Sequence, residues 1–295
     1  MRVGVQRGEL WAVHGAVALF GVAGLLGKLI AAPPLVIVCV RASIAALVLG
    51  AWMAARARRL PVLAREQAGW LAITGAVLAV HWGAFFQAIH VSTVAVALLA
   101  FATFPVWVTL LEPGFGSGRL RGRDLGLACA VALGLALLVP TFDLRAQPTQ
   151  GAAWGVLSGF TFAVLTLLNR RCVQQQSALL VAAGQNAVAA VILAPFVLLS
   201  PPALRAGDWL GLLGLGVFCT AGAHALFIRG LRTVRASVAG VIAALEPVYG
   251  ILFALLVLGE VPTARTLAGG VIILAVAMWV SATATRTAGG ARERP

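Results

Sequence analysis

The chain has 295 residues, of which 61% are hydrophobic and 11% charged, and its mean hydropathy is +0.99. This composition excludes a soluble globular protein and is typical of a membrane protein. No Gly-x-x-x-x-Gly-Lys-Ser/Thr phosphate loop occurs, so energy from ATP would have to come from another chain. The four cysteines show no metal-ligand spacing, and we expect neither a metal nor a cofactor.

Ten apolar segments follow one another along the chain. Each is about 20 residues long, the length of a helix that crosses a bilayer core of ~30 Å. The predicted spans are 9–30, 35–54, 69–89, 92–111, 124–140, 151–169, 177–199, 208–228, 236–258 and 265–284. The predicted fold class is therefore an all-α integral membrane protein with ten transmembrane helices.

The net charge of +13 is unevenly distributed between the two sides of these spans. Of 22 basic residues, 17 lie in the terminal segments and the loops on the same side as the termini. The alternate loops carry only Arg145, Arg205 and Arg265. By the positive-inside rule both termini are cytoplasmic, and the basic charge indicates membrane topology rather than a nucleic-acid partner. The first segment is long and interrupted by Lys28, which favours a retained helix over a cleaved signal peptide.

The second five spans partly repeat the first five. Residues 104–107 (Phe-Pro-Val-Trp) align with residues 246–249 (Glu-Pro-Val-Tyr), 142 positions later, and the same offset places Arg123 on Arg265. Because five is odd, the second copy must lie inverted in the membrane. The predicted domains are a first repeat, 1–145, and a second, 146–295. Inverted repeats around a central site are typical of secondary transporters.

Small residues and prolines predict how the helices pack. Glycines at 151, 155 and 159 recur every four residues in the sixth span, a spacing typical of a helix–helix contact. Pro105 and Pro247 lie near the middle of their spans, where a proline frees a backbone carbonyl. Such a break must face protein or a water-filled cavity. The two prolines are candidate hinges that open onto a cavity, or kinks that only set helix shape.

Glu246 is the most costly residue to place in the membrane. A carboxylate near the centre of a span costs ~3 kcal/mol on translocon scales, and such residues are functional candidates by default. Glu246 could bind a substrate amino group, carry a coupling proton, or bond backbone groups freed by Pro247. Its repeat counterpart is Phe104, so the predicted site is chemically asymmetric.

Histidines with aromatic neighbours occur in the third and eighth spans. His81 has Phe85 one turn further along the same face, and its repeat counterpart lies near Thr220, followed by His224. A histidine can bond a carboxylate while rings cover an apolar side chain. The alternative is a buried histidine bonded to a neighbouring helix.

Further aromatic residues complete the candidate substrate-binding set, unless they face lipid or neighbouring helices. They are Phe20, Phe101, Trp107, Phe160 and Tyr249. Two basic residues, Lys28 and Arg41, lie within spans near their outer ends, and we expect them to snorkel or to pair locally. The alternative is that they attract an anionic group.

A family resemblance adds to this interpretation. Residues 245–249 (Leu-Glu-Pro-Val-Tyr), 258–260 (Leu-Gly-Glu) and the glycine pair at 269–270 resemble the second repeat of EamA-type exporters, of the drug/metabolite transporter superfamily. The resemblance covers the whole chain, which looks most like the YddG amino-acid exporters. It implies a basket of ten helices in a bacterial inner membrane, with Glu246 at a central cavity and Glu260 in a local structural bond. The first half departs from the family pattern, with Gly118 opposite Glu260.

The expected function is export of several amino acids by alternating access. The alternative is an exporter of cationic drugs or of other small metabolites such as nucleosides or sugars. An intramembrane enzyme is not expected, because no catalytic serine motif or metal cluster occurs at matching depth. The expected partners are amino acids and the lipid bilayer. Substrate rank, coupling ion and oligomeric state are left open by the sequence.

Overall fold

The computed structural model describes residues 7–56, 63–115, 122–139, 143–199, 203–230 and 242–290, together with residues 120 and 141. The first half holds six helices: α1 (Arg7–Leu29), α2 (Pro34–Arg56), α3 (Arg65–Val91), α4 (Val94–Phe101), α5 (Phe104–Leu111) and α6 (Gly122–Leu138). The second half holds α7 (Gln147–Gln175), α8 (Ala178–Leu199), α9 (Ala206–Gly214), α10 (Ala223–Gly230), α11 (Glu246–Leu258) and α12 (Ala264–Gly290). A π-helical segment, Leu215–Gly222, joins α9 to α10, and a short 3₁₀ turn, Glu112–Phe115, follows α5.

Helix coincides with every predicted span, the ninth of which is described from residue 242 onward. Among the described residues, six helical segments are long and apolar enough to cross a membrane, and three shorter apolar helices accompany them. Leucine, valine and phenylalanine side chains on the outside of the bundle are exposed, as expected of a surface that faces lipid. The chain is therefore an all-helical, multi-pass membrane protein over the part that the structure describes.

The contacts between spans come in matched sets. The third span, α3, packs against α7 and α8; correspondingly, the eighth, formed by α9, the π segment and α10, packs against α1 and α2. The fourth span packs against α7 through α4 and α5, and α11 packs against α1. Contacts between α2 and α8, and between α6 and α12, complete the pattern. Exchanging each span with the one five places later therefore leaves these pairings unchanged.

The glycine stripe of α7 is the contact surface for the fourth span. A Cβ atom on Gly155 would lie 2.6 Å from the Cβ of Ala100, and one on Gly159 would lie 2.8 Å from the carbonyl oxygen of Phe101. Only a hydrogen fits at these positions. The prediction that the stripe is a packing surface is confirmed.

Both prolines stand at the start of a helix rather than inside one. The fourth span is interrupted after Phe101 and resumes at Phe104, which puts Pro105 in the first turn of α5. Pro247 lies in the first turn of α11. A proline costs little there, because first-turn N–H groups have no partner within the helix. The first interruption lies against Gly159 of α7, and a cavity at the two breaks stays a prediction.

Two charged side chains bind the turn between α3 and α4. The Lys28 ammonium donates hydrogen bonds to the carbonyl oxygens of Ile89, at 2.9 Å, and Ser92 at the end of α3. Glu260 accepts a hydrogen bond of 2.9 Å from the backbone N–H of Val94, the first residue of α4. Neither bond is local in sequence, contrary to expectation. Each charge complements the helix end that it meets.

Candidate functional site

Arg41 lies inside the bundle, so the expectation that it snorkels to the membrane surface is wrong. Its side chain is 4% exposed, and its Nε donates a 3.0 Å hydrogen bond to Oγ1 of Thr220. The guanidinium carbon lies 4.1 Å from the ring centre of Trp82 and 5.1 Å from that of Phe86. A guanidinium stacks well on aromatic faces. The position on α2 turns the side chain toward α3 and the eighth span instead of toward the surface.

Thr220 holds Arg41 through the π-helical segment. It is fully buried, and its hydroxyl donates to the carbonyl oxygen of Leu215 at 2.7 Å while it accepts from Arg41. Turns of π-helix are frequent at functional sites. Thr220 is therefore bonded to a candidate site residue at one side and to backbone at the other.

Aromatic rings continue from Trp82 toward α1. The His224 ring stacks on Trp82 at a centroid distance of 6.0 Å, and Phe20 meets the edge of His224 at 5.9 Å. Phe227 lies beyond Phe20 at 6.0 Å. Together these contacts connect residues of α1 and α10 to Trp82 of α3, on which the guanidinium of α2 lies.

Glu246 lies at the start of α11. It is the first residue of that helix, where the helix dipole favours a negative charge. Its side chain is partly buried. Within the described part of the chain it makes no hydrogen bond, and no ion pair within 4.0 Å. We call Arg41, Trp82, His224 and Phe20, which are linked by ring contacts, the central cluster.

His81 faces a different set of neighbours from Trp82. It is 4% exposed, and its Nδ1 lies 3.0 Å from both the carbonyl oxygen and the hydroxyl of Ser158 on α7. Since a carbonyl only accepts, Nδ1 carries a proton in that bond. Rings surround the imidazole at centroid distances of 5.0–6.4 Å, namely Phe162, Phe101 and Phe85. This arrangement ties α3 to α7.

The remaining candidates lie in two further pairs. The Tyr249 hydroxyl lies 3.1 Å from Nδ1 of His14 on α1. Trp107 and Phe160 meet edge to face at 5.5 Å, so their ring contact is with each other rather than with the central cluster. The structure thus links Phe20 and His224 to Arg41 through Trp82, and groups Phe85 and Phe101 around His81.

Sequence reasoning left Trp82 and Phe162 out of the candidate set and gave Arg41 only a secondary role. Arg41 lies seven residues into α2, about 10 Å along the helix axis, and apolar residues flank it. A charge at that depth is a functional candidate by the same reasoning that singled out Glu246. Trp82 and Phe162 are aromatic residues without a charge, and the only feature in the sequence that could have singled them out is their position beside other candidates.

Comparison with known proteins gives the family. The EamA-like transporter family matches this chain twice, over residues 6–139 and 149–282. A protein of Archaeoglobus fulgidus named an uncharacterized transporter is 30% identical over 65% of this chain and 68% of its own length. The uncharacterized transporter YxxF of Bacillus subtilis is 24% identical over 88% of this chain and 85% of its own.

A solved crystal structure shares the fold. It is 19% identical and covers 95% of this chain and 99% of its own, with a TM-score of 0.68. At this identity the likeness concerns fold alone. The two family matches together span most of the sequence, and they coincide with the all-helical membrane architecture described above. The chain belongs to the EamA-like transporter family.

Proposed function

We propose that this transporter exports several amino acids across a bacterial inner membrane by alternating access, as the YddG-type exporters do. The observation that carries the proposal is a buried guanidinium, Arg41, held by Thr220 and by aromatic rings inside the membrane-spanning bundle. Ionisable residues at this depth are costly and mark substrate or ion paths. Aromatic rings beside this charge provide surfaces that accommodate varied side chains.

The architecture we propose is two inverted five-helix repeats, 1–145 and 146–295, with both termini in the cytoplasm. The matched contacts between spans and the double family match support the repeat. The arginine distribution supports the orientation. Rocking of one group of helices against the other would expose the site to each side in turn, with Pro105 and Pro247 as hinges.

The proposed lining extends beyond the central cluster. Thr220 positions Arg41, and His81 with its phenylalanines, Phe85 and Phe101, forms one flank. Other members of the proposed set are Tyr249 on α11 and the Trp107–Phe160 pair. These apolar surfaces favour broad rather than narrow substrate choice.

A lipophilic cation is the second candidate cargo, because Glu246 lies near aromatic rings. Arg41 argues against it, since a cation buried inside the bundle repels a second positive charge. Nucleosides and sugars would leave both charges without partners. A zwitterion supplies one opposite charge for each of them.

Flux measurements test the function directly. Liposomes that contain the full chain are loaded with a panel of labelled amino acids. We expect them to release several of these amino acids faster than protein-free liposomes do, and the assay is run with and without a pH gradient. Quaternary amines at equal concentration should compete poorly. Absence of flux for every amino acid would overturn the proposal, and strong competition by quaternary amines would favour the second candidate.

A further inference from the structure

We propose that a groove at one end of the bundle binds an anionic phospholipid, with the lipid phosphate on Arg205 and an acyl chain between α1 and α9. The groove has a volume of about 600 Å³ and is lined by the end of α1, the residues that follow it and the start of α9. Volumes of roughly 300–1,000 Å³ are usual for small-ligand sites. Among the described residues that line it, none belongs to the central cluster, so the groove is separate from the proposed cargo site.

Buried contacts hold the two walls of the groove together. The Asp208 carboxylate is 7% exposed and accepts hydrogen bonds from the backbone N–H groups of Ala31, at 2.8 Å, and Arg205, at 2.9 Å. A Cβ atom on Gly211 would lie 2.8 Å from the Ile30 side chain, so α9 and the chain after α1 are in close contact. The groove is therefore a fixed feature of the packing between these two elements.

The groove opens onto the surface that faces lipid. Two of the side chains that line it, Leu29 and Leu210, are 49% and 72% exposed. Trp209 precedes Leu210 and is also exposed, and tryptophan is enriched where the hydrocarbon core of a bilayer meets the headgroups. The apolar part of the groove thus lies at the depth of acyl chains, and its polar part lies at the depth of headgroups.

Arg205 gives the groove a preference for a negative headgroup. Its side chain is exposed, and its guanidinium forms no hydrogen bond or ion pair with a described residue. Asp208, the other charged residue of the lining, already binds a backbone N–H group with each oxygen. The groove therefore offers a free cation to a phosphate and no free carboxylate to the ammonium of a zwitterionic headgroup. A guanidinium binds phosphate oxygens in a two-pronged contact.

Lipid binding to the full chain in detergent tests the site. The protein is titrated with phosphatidylglycerol, which is anionic, or with phosphatidylcholine, which is zwitterionic and has the same acyl chains, and bound lipid is measured by native mass spectrometry. We expect the wild type to bind phosphatidylglycerol about three- to tenfold more tightly, the range for a charged contact at a partly exposed site.

A charge variant tests the headgroup contact. Arg205→Gln should remove the preference for phosphatidylglycerol, and it keeps the backbone N–H group that Asp208 binds. Arg145→Gln is the matched control, because Arg145 is an exposed arginine in another loop on the same side and does not line the groove. This control should leave the preference unchanged.

A steric variant tests the place of the acyl chain. Gly207 lines the groove, and a Cβ atom there would meet nothing within 4 Å, so the side chain in Gly207→Leu enters the groove without a clash. This variant should weaken the binding of both lipids while Arg205 is intact. Gly126→Leu on α6 is the matched control, since Gly126 is equally open and lies outside the groove.

Three results would contradict the assignment. Equal affinity of the wild type for the two lipids, or an unchanged preference in Arg205→Gln, removes the role of Arg205. Unchanged binding of both lipids to Gly207→Leu places the acyl chain elsewhere. If soluble glycerol phosphate displaces phosphatidylglycerol at equal concentration, the groove binds a free anion and not a lipid. Since none of these measurements involves transport, they stand or fall separately from the proposed function.

Discussion

At the scale of single residues, burial separates the polar groups that hold helices together from those with bonding capacity left over. His81 is buried and bonded to Ser158, and Lys28 and Glu260 are bonded to backbone. Arg41 and Glu246 differ, because each keeps groups without a partner among the described residues. Charged and polar residues inside the bundle thus have two roles: some hold helices together, and others are candidates for binding substrate. Only the contacts in the structure distinguish the two roles.

Thr220 offers a test of how Arg41 is positioned. Thr220→Val removes the hydroxyl that accepts from Arg41 and keeps the side-chain volume. We expect KM for amino acids to rise several-fold with little change in kcat, since a guanidinium free to rotate binds a carboxylate less well. Flux kinetics in liposomes measure both constants. Thr220→Ser should restore KM, and an unchanged KM in Thr220→Val would contradict the positioning role.

His81 should matter for stability whatever its part in transport. His81→Leu removes the bond to Ser158 and leaves the rings in place. Loss of a buried hydrogen bond is expected to cost about 1–2 kcal/mol, seen as a lower melting temperature in detergent. Ser158→Ala keeps the carbonyl acceptor and should cost less. Equal melting temperatures for His81→Leu and the wild type would contradict the prediction that the bond between His81 and Ser158 stabilises the fold.

At the scale of elements, the close approach of α7 to the fourth span depends on glycine. Gly159→Ala would bring a methyl group to 2.8 Å from the Phe101 carbonyl oxygen, and helices must move apart to accept it. We expect a destabilisation of about 1–3 kcal/mol. Gly126→Ala on α6, where nothing lies within 4 Å, is the matched control and should be neutral or slightly stabilising. Thermal unfolding in detergent compares them.

At the scale of the whole molecule, topology is open to a labelling test. On a background with the native cysteines replaced, Arg145→Cys should react with a membrane-impermeant thiol reagent applied outside intact cells. Arg56→Cys should react only after permeabilisation, because its loop belongs to the arginine-rich side. The reverse pattern would place the termini outside and overturn the proposed orientation.

Much of the architecture was predictable, because the bilayer imposes it. Hydropathy located the spans, and the prolines located the interruption between α4 and α5 and the start of α11. The depth of Glu246 within its span singled it out. The helix face that Arg41 occupies was not predictable. Its position near the start of α2 suggested that the side chain reaches the membrane surface, but it lies on the face of α2 that points into the bundle. Trp107 and Phe160 met each other rather than Glu246, because pairing of rings depends on how helices cross.

The turn between α3 and α4 has a consequence for any transport cycle that would open this end of the bundle. The turn is hydrogen-bonded by two side chains, Lys28 of α1 and Glu260, which follows the end of α11. Any movement that pulls this turn away from Lys28 and Glu260 must break the hydrogen bonds of both residues. If each is worth ~1.5–3 kcal/mol, the released state is disfavoured on the order of 10²–10⁴-fold until a bound ligand repays the difference. If the proposed alternating access opens this end, these bonds would keep it closed in the absence of substrate and so limit leakage.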